Sequence, residues 1–173
     1  TGNNEDGSVN AHVATGSAAS LVSVGADEPL TFRLNPDTAG LPEGLTSKGD
    51  LLTYAVLGDT LTAQAGGREV FTFQLQSDGS FTFTLLDQVD HTAGDGENNL
   101  SFNLSAAVLA TDFDGDTIAL GAEQLIVDIQ DDIPVLTENT LSLTVEEDDL
   151  NNVQSTGNNE DGSVNAHVAT GSV

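Results

Sequence analysis

The sequence predicts an all-β fold, an antiparallel β-sandwich, on three observations. Apolar residues alternate with Thr and Gln in short runs through the middle of the chain. Turn signals built on Gly, Asp and Pro separate those runs. No segment keeps a helical period over three turns. Several short, turn-punctuated strands with one apolar face are the pattern of two sheets packed face to face.

Residues 1–10 are polar and rich in Gly and Asn, and read as loop. Residues 20–34 mix β-branched and apolar residues around a polar break at Asp27-Glu28-Pro29. Residues 35–50 are punctuated by Pro36, Gly40-Leu41-Pro42 and Gly44 and read as loop. The clearest strand signal follows, where Leu52, Tyr54 and Val56 alternate with Thr53 and Ala55. Gly58-Asp59 is a two-residue turn into Thr60-Leu61-Thr62. Phe71, Phe73 and Leu75 alternate with Thr72, Gln74 and Gln76. Asp78-Gly79 then turns the chain into Phe81, Phe83 and Leu85. This hairpin has one apolar face and one Thr/Gln face, as in an antiparallel sheet with one wet side. Leu100, Phe102 and Leu104 repeat the pattern, as do Leu125, Val127 and Ile129, and Ser105 to Ala110 has room for one helical turn. Phe71, Phe73, Phe81, Phe83 and Phe102 fall on inward phases and are assigned to the core.

The chain has 173 residues, enough for one domain with a real core or one domain and part of another. Its 3 Lys and Arg face 28 Asp and Glu, a formal net charge of -25. That charge opposes the compact state by self-repulsion. It argues against nucleic-acid binding, which needs a basic face, and against docking on anionic membranes. A folded chain this acidic calls for counter-ions. Disulfides and thiol chemistry are excluded by the absence of Cys. No apolar run approaches the roughly 18–20 residues of a membrane span, so membrane insertion is not expected.

Thr1 to Ser17 and Thr156 to Ser172 are identical, residue for residue, at an offset of 155. The chain therefore reads as one full period of a tandem array plus the start of the next. A unit this long is a whole domain, so the expected array is beads on a string, with neighbouring repeats of the same chain as partners. The expected division is 1–131 for the sandwich and 132–173 for a linker and the start of the next repeat. In that frame the C-terminal segment completes the sandwich of its own chain, swaps into a neighbouring copy, or stays unpaired.

One acidic segment stands out. In Ala110-Thr111-Asp112-Phe113-Asp114-Gly115-Asp116-Thr117, three carboxylates occupy alternate positions beside one Gly. Held extended, they would share a face and repel. A turn at Gly115 wraps them around a point where a divalent cation turns repulsion into attraction. Hard oxygen ligands suit Ca²⁺; an Asp/Gly surface turn without an ion is the plainer alternative. Asp128, Asp131 and Asp132 lie at a strand end before Pro134, which reads as a boundary. Glu146-Glu147-Asp148-Asp149 ends a further candidate strand, Leu141 to Val145. Asp87 and Asp90 follow the hairpin, and Asp95, Glu97, Asn98 and Asn99 lie in a Gly-rich loop. Asp112, Asp114, Asp116 and Glu123 mimic an EF-hand loop, but Thr117 stands where that loop needs Gly, and flanking helices are not expected.

Taken in order, VATGSAASLVSVGADEPLTF, GLPEGLTSKGDLLTYAV, DGSFTFTLLDQVDH, GDGENNL, ATDFDGDT and DDIPV make most of the chain resemble the tandem extender repeats of giant bacterial RTX adhesins, the large adhesion proteins exported by type I secretion. The resemblance implies an immunoglobulin- or cadherin-like sandwich with calcium at or near domain junctions. It also implies a role in extending a cell-surface fibre in biofilm formation, outside the cell. On that reading Asp131 and Asp132 supply linker ligands, with Asp128 in the same strand-end cluster, Asp112, Asp114 and Asp116 supply loop ligands, and Glu146 or Asp148 belongs to the next unit.

Two other functions compete with the extender. A glycan- or protein-binding adhesive module fits the same fold, but a glycan site usually shows exposed aromatics, and Tyr54, the only Tyr in a chain without Trp, has a core phase. An enzyme is not expected. The only histidines are His12, His91 and His167; the first and last are repeat equivalents, and no Gly-x-Ser-x-Gly elbow accompanies Asp90-His91.

Overall fold

The strand-forming runs pair into antiparallel sheets in the computed structural model, which describes residues 12–23, 25–94, 96–134, 136–145 and 147. The chain divides into two compact units, Thr1–Val135 and Leu136–Val173.

In the first unit, the strands are β1 (Val13–Ser17), β2 (Thr31–Leu34), β3 (Thr46–Ser47), β4 (Asp50–Leu51), β5 (Thr53–Leu57), β6 (Thr60–Ala65), β7 (Arg68–Leu75), β8 (Ser80–Leu85), β9 (Asn99–Asn103), β10 (Val108–Thr111), β11 (Thr117–Ala119) and β12 (Ile126–Gln130). A five-stranded sheet runs β1-β8-β7-β6-β5. Its centre is the expected pair of hairpins, with Gly58-Asp59 and Asp78-Gly79 as the turns. Strands β11-β10-β2 form a three-stranded sheet, β12-β9 and β3-β4 two-stranded ones. Every pairing is antiparallel. Among the described residues helical structure is limited to two single 3-10 turns, Ala19–Leu21 and Ser105–Ala107.

Alternation places Leu61, Ala63, Phe71, Phe73 and Phe83 on the inner face of the large sheet, all buried. Phe32, Phe102, Val108 and Ile129 of the smaller sheets are buried in the same core. The ring of Phe71 stacks on that of Phe102 with centroids 5.5 Å apart and lies 5.0 Å from Phe83, so aromatic contacts join the layers. Phe81 is half-buried and packs 5.2 Å from Phe73, at the margin of the core. Gly16 lies opposite it: a Cβ there would come within 2.5 Å of the Phe81 ring. The all-β expectation holds, and the layers form a β-sandwich.

Two local expectations are corrected, and one strand had no signal in the sequence: β1 lacks apolar alternation, yet it pairs with β8 along five residues. The small β3-β4 hairpin begins inside the stretch 35–50 read as loop and ends one residue beyond it, at Leu51. It is closed by Lys48, at φ 54, and Gly49, at φ 83. In the second unit, the expected strand Leu141 to Val145 does not form. Leu141, Leu143 and Val145 are each 59% exposed there. Alternation creates an apolar stripe, but a strand also needs a hydrogen-bonding partner.

Candidate metal centre

The Asp112–Asp116 segment is the loop of the β10-β11 hairpin. Thr111 pairs with Thr117 at its base, and their hydroxyls lie 2.8 Å apart. The loop closes on itself through Asp112. Its backbone N–H donates to the Asp116 carbonyl at 3.1 Å, and its Oδ1 accepts from the N–H groups of Gly115 and Asp116 at 3.1 and 2.9 Å. Gly115 takes φ 102, a conformation that side chains disfavour, and this lets the chain reverse. Phe113 donates its N–H to the Asp27 carbonyl at 3.1 Å, which moors the loop tip to the segment before β2. The Phe113 side chain itself is 76% exposed.

This wrap gathers one carboxylate oxygen from each of Asp112, Asp114 and Asp116 within 4.8 Å of one another. Asp112 is half-buried; Asp114 and Asp116 are exposed. Crowding shows in the Asp114 carboxyl, which is pushed above the usual carboxylate range by its hydrogen bond with Asp112 and by the negative charges of Asp112 and Asp116. An all-oxygen donor set from short side chains fits a hard divalent cation. The flanking elements are β-strands, and Glu123, at φ 64, sits in the turn beyond β11. The EF-hand arrangement is absent at this loop.

The other acidic candidates have separate surroundings. The Asp128 carboxylate accepts from the Ser101 hydroxyl across the β12-β9 pair. Asp131 donates its N–H to the Asn98 carbonyl at 2.8 Å. Its carboxylate accepts from the Asp132 N–H at 3.0 Å and lies 3.5 Å from Nδ1 of His91. Asp128, Asp131 and Asp132 are not part of the three-carboxylate group. Glu146 and Asp148 lie outside the described residues.

Two features escaped the reading of the sequence. Asp87 and Asp90 clamp the β3-β4 hairpin to the segment after β8. Asp87 pairs with Lys48 at 2.7 Å and with Arg68, while Asp90 accepts from the N–H groups of Lys48 and Gly49 at 2.7 and 2.8 Å. Asp87 is held below the usual carboxylate range first by its hydrogen bond from Lys48, and Asp90 first by that from Gly49. His91 is not oriented by Asp90. Its side chain is 8% exposed, with Nδ1 2.9 Å from the Val89 carbonyl and Nε2 3.0 Å from the Ile129 carbonyl. It ties the segment after β8 to the end of β12. Sequence spacing gave no signal for either contact, because they join residues 19 to 42 positions apart.

Comparison with known protein families, curated proteins and solved structures finds no match to this chain.

Proposed function

We propose that the chain is a calcium-stabilised structural extender of a long adhesin, carried outside the cell on a bacterial surface. In this reading it projects adhesive regions for attachment and biofilm formation. The observation that carries the proposal is the 17-residue identity between residues 1–17 and 156–172, which marks a domain-sized repeat. A β-sandwich whose exposed hairpin loop gathers three carboxylates supports the calcium part. The loop residues are Asp112, Asp114 and Asp116; Asp131 and Asp132, at the end of β12, would act at a junction with a neighbouring repeat. Type I export is part of the same proposal and rests on the resemblance of the motif string.

The physical role of the ion is linkage. An ion that binds the folded chain and not the unfolded one raises stability by mass action. Extracellular sites of this kind bind with Kd on the order of 10⁻⁴–10⁻³ M. Such a site empties where calcium is scarce and fills outside the cell, so the chain stays loose for export and stiffens afterwards.

The test is thermal denaturation in calcium and in chelator, with small-angle scattering on this chain and on a chain of two complete units. The expected result is a higher midpoint in millimolar calcium and a two-unit length that becomes rigid only with calcium. Equal midpoints in calcium and chelator would overturn the calcium reading. A two-unit chain equally flexible in both would overturn the extender reading.

A further inference from the structure

The strand register lines up an uncharged surface on the outer face of the five-stranded sheet. Thr84, Thr72 and Thr62 stand side by side across β8, β7 and β6, and Thr82, Gln74 and Thr60 form the next row. Val13, 39% exposed, and Leu57, 86% exposed, lie at opposite ends of these rows on β1 and β5. The first charged residues along the face are Glu69 at one end, opposite Gln64, and Asp59 at the other, beside Gln76. In a chain with a net charge of -25, a surface five strands wide without a charge is a marked departure.

We propose that this face is where copies of the chain associate laterally, sheet against sheet, with a second copy of this chain as the occupant. Two copies share the same large negative charge, so their acidic surfaces repel one another. The Thr/Gln rows let two copies approach without facing like charges. Their hydroxyls and amides can both donate and accept, so the face is complementary to itself under two-fold symmetry. Val13 and Leu57 add apolar contact. An aromatic platform of the kind a sugar ring stacks on is missing from the rows.

Size sets the strength. Strands spaced about 4.8 Å apart, with a rise of about 3.4 Å per residue, give roughly 400 Å² per copy over this area. Two copies would bury roughly 800 Å², below the roughly 1,200 Å² of a stable complex. A single unit therefore associates weakly, and a row of units gains from effective concentration. Association of single units needs no calcium, and only the gain along a row draws on the tandem repeat.

The test is sedimentation equilibrium of the 173-residue chain in chelator, from about 10 μM to about 2 mM, at 0.15 and 0.5 M NaCl. The expected result is a mean mass rising toward the dimer at the upper end. The rise should be larger at 0.5 M, where the Debye length is shorter and residual repulsion is screened. The double variant Thr72→Glu/Thr82→Glu should weaken association at least tenfold. Thr72→Val/Thr82→Val, which adds no charge, and Ile118→Glu, at an exposed position of β11 in the other layer, should retain it. A chain that stays monomeric at 2 mM in both salts overturns the proposal. So does association that survives in the Glu variant or is lost in the Ile118→Glu variant. A shallow depression of about 340 Å³ beside Gln74 and Thr82 provides the last arm. If dextran shifts the amide resonances of these rows while the chain remains monomeric, the face belongs to a neutral polysaccharide and the proposal fails.

Discussion

Ser105→Ala should destabilise the sandwich by more than its single lost oxygen suggests. Ser105 is 2% exposed, and its Oγ accepts from two backbone N–H groups, Gln124 at 3.0 Å and Leu125 at 2.9 Å. Leu125 is 8% exposed, so water cannot replace the hydroxyl there, and a buried N–H left unpaired costs about 1–3 kcal/mol. The Gln124 N–H also donates to the Gly121 carbonyl at 3.3 Å and keeps that partner, so its loss is at most the net value of a hydrogen bond, about 1 kcal/mol. The expected sum is about 1–4 kcal/mol. The effect reaches the metal loop, because the turn at Ser105–Ala107 launches β10, and the 124–125 backbone leads out of the β11 side into β12. Urea denaturation followed by the fluorescence of Tyr54 reports the loss in a chain without Trp. Thr15→Val, on the exposed outer face, serves as the control and should change stability by less than about 0.5 kcal/mol. A Ser105→Ala value below about 0.5 kcal/mol at unchanged denaturant slope would refute the reasoning.

Three further outcomes follow from local geometry. Asp87 and Asp90 have folded-state pKa values below their unfolded ones. Their contribution is therefore present above the ordinary carboxylate range near 4 and lost as pH falls through the lower folded values; amide exchange in residues 46–51 should accelerate there, ahead of exchange in β7. The Tyr54 phenol is pushed up to about 12 by burial, and its hydroxyl donates to the Pro42 carbonyl at 2.8 Å. Its contribution is present below pH 10 and lost as pH rises toward 12; an ultraviolet titration of the folded chain with a midpoint near 10 would contradict this. Gly79 sits at φ 87, and a Cβ there would lie 2.9 Å from the Phe32 ring and 3.0 Å from the Ala19 nitrogen. Gly79→Ala should thus cost about 2–4 kcal/mol from backbone strain and crowding together, measured by urea denaturation.

Strands β5 to β9 and β12 were legible because each buries one face, and period-2 alternation is the direct imprint of that burial. β1 was not, because its Val-Ala-Thr-Gly-Ser sequence contributes backbone pairing and little apolar surface. Gly16 carries no side chain because Phe81 occupies that space. The β10-β11 hairpin was half legible: Asp112 to Asp116 announced a turn, but the strands on either side are four and three residues long. The clamp of Asp87 and Asp90 on the β3-β4 hairpin depends on long-range contact, and both aspartates could be read only as a charged loop. Glu146 and Asp148 lie outside the described residues, so the expected contribution from the next unit remains a proposal.

The distribution of cations decides how the loop carboxylates can be neutralised. Three Lys and Arg serve the whole chain, and two of them, Lys48 and Arg68, converge on Asp87. The influences that move the Asp114 carboxyl include no basic side chain; Asp112 and Asp116 dominate. Relief must then come from solution, and monovalent salt supplies it poorly. The oxygens lie within 4.8 Å, which is shorter than the Debye length of about 8 Å at 0.15 M. A cation held among the carboxylates acts inside that distance. Calcium added in 0.15 M NaCl should therefore raise the melting midpoint along a saturating curve. NaCl of matched ionic strength should give a shallower rise that does not saturate. Asp114→Asn should show both halves of the balance. In chelator it removes repulsion and raises the midpoint, while in calcium it removes a ligand and flattens the curve. Without cation, the raised Asp114 pKa has the same sign: its contribution is greatest at low pH and is lost as pH rises through the folded value. An Asp114→Asn curve that overlays the wild type in calcium and in chelator would reduce Asp112–Asp116 to an ordinary surface turn.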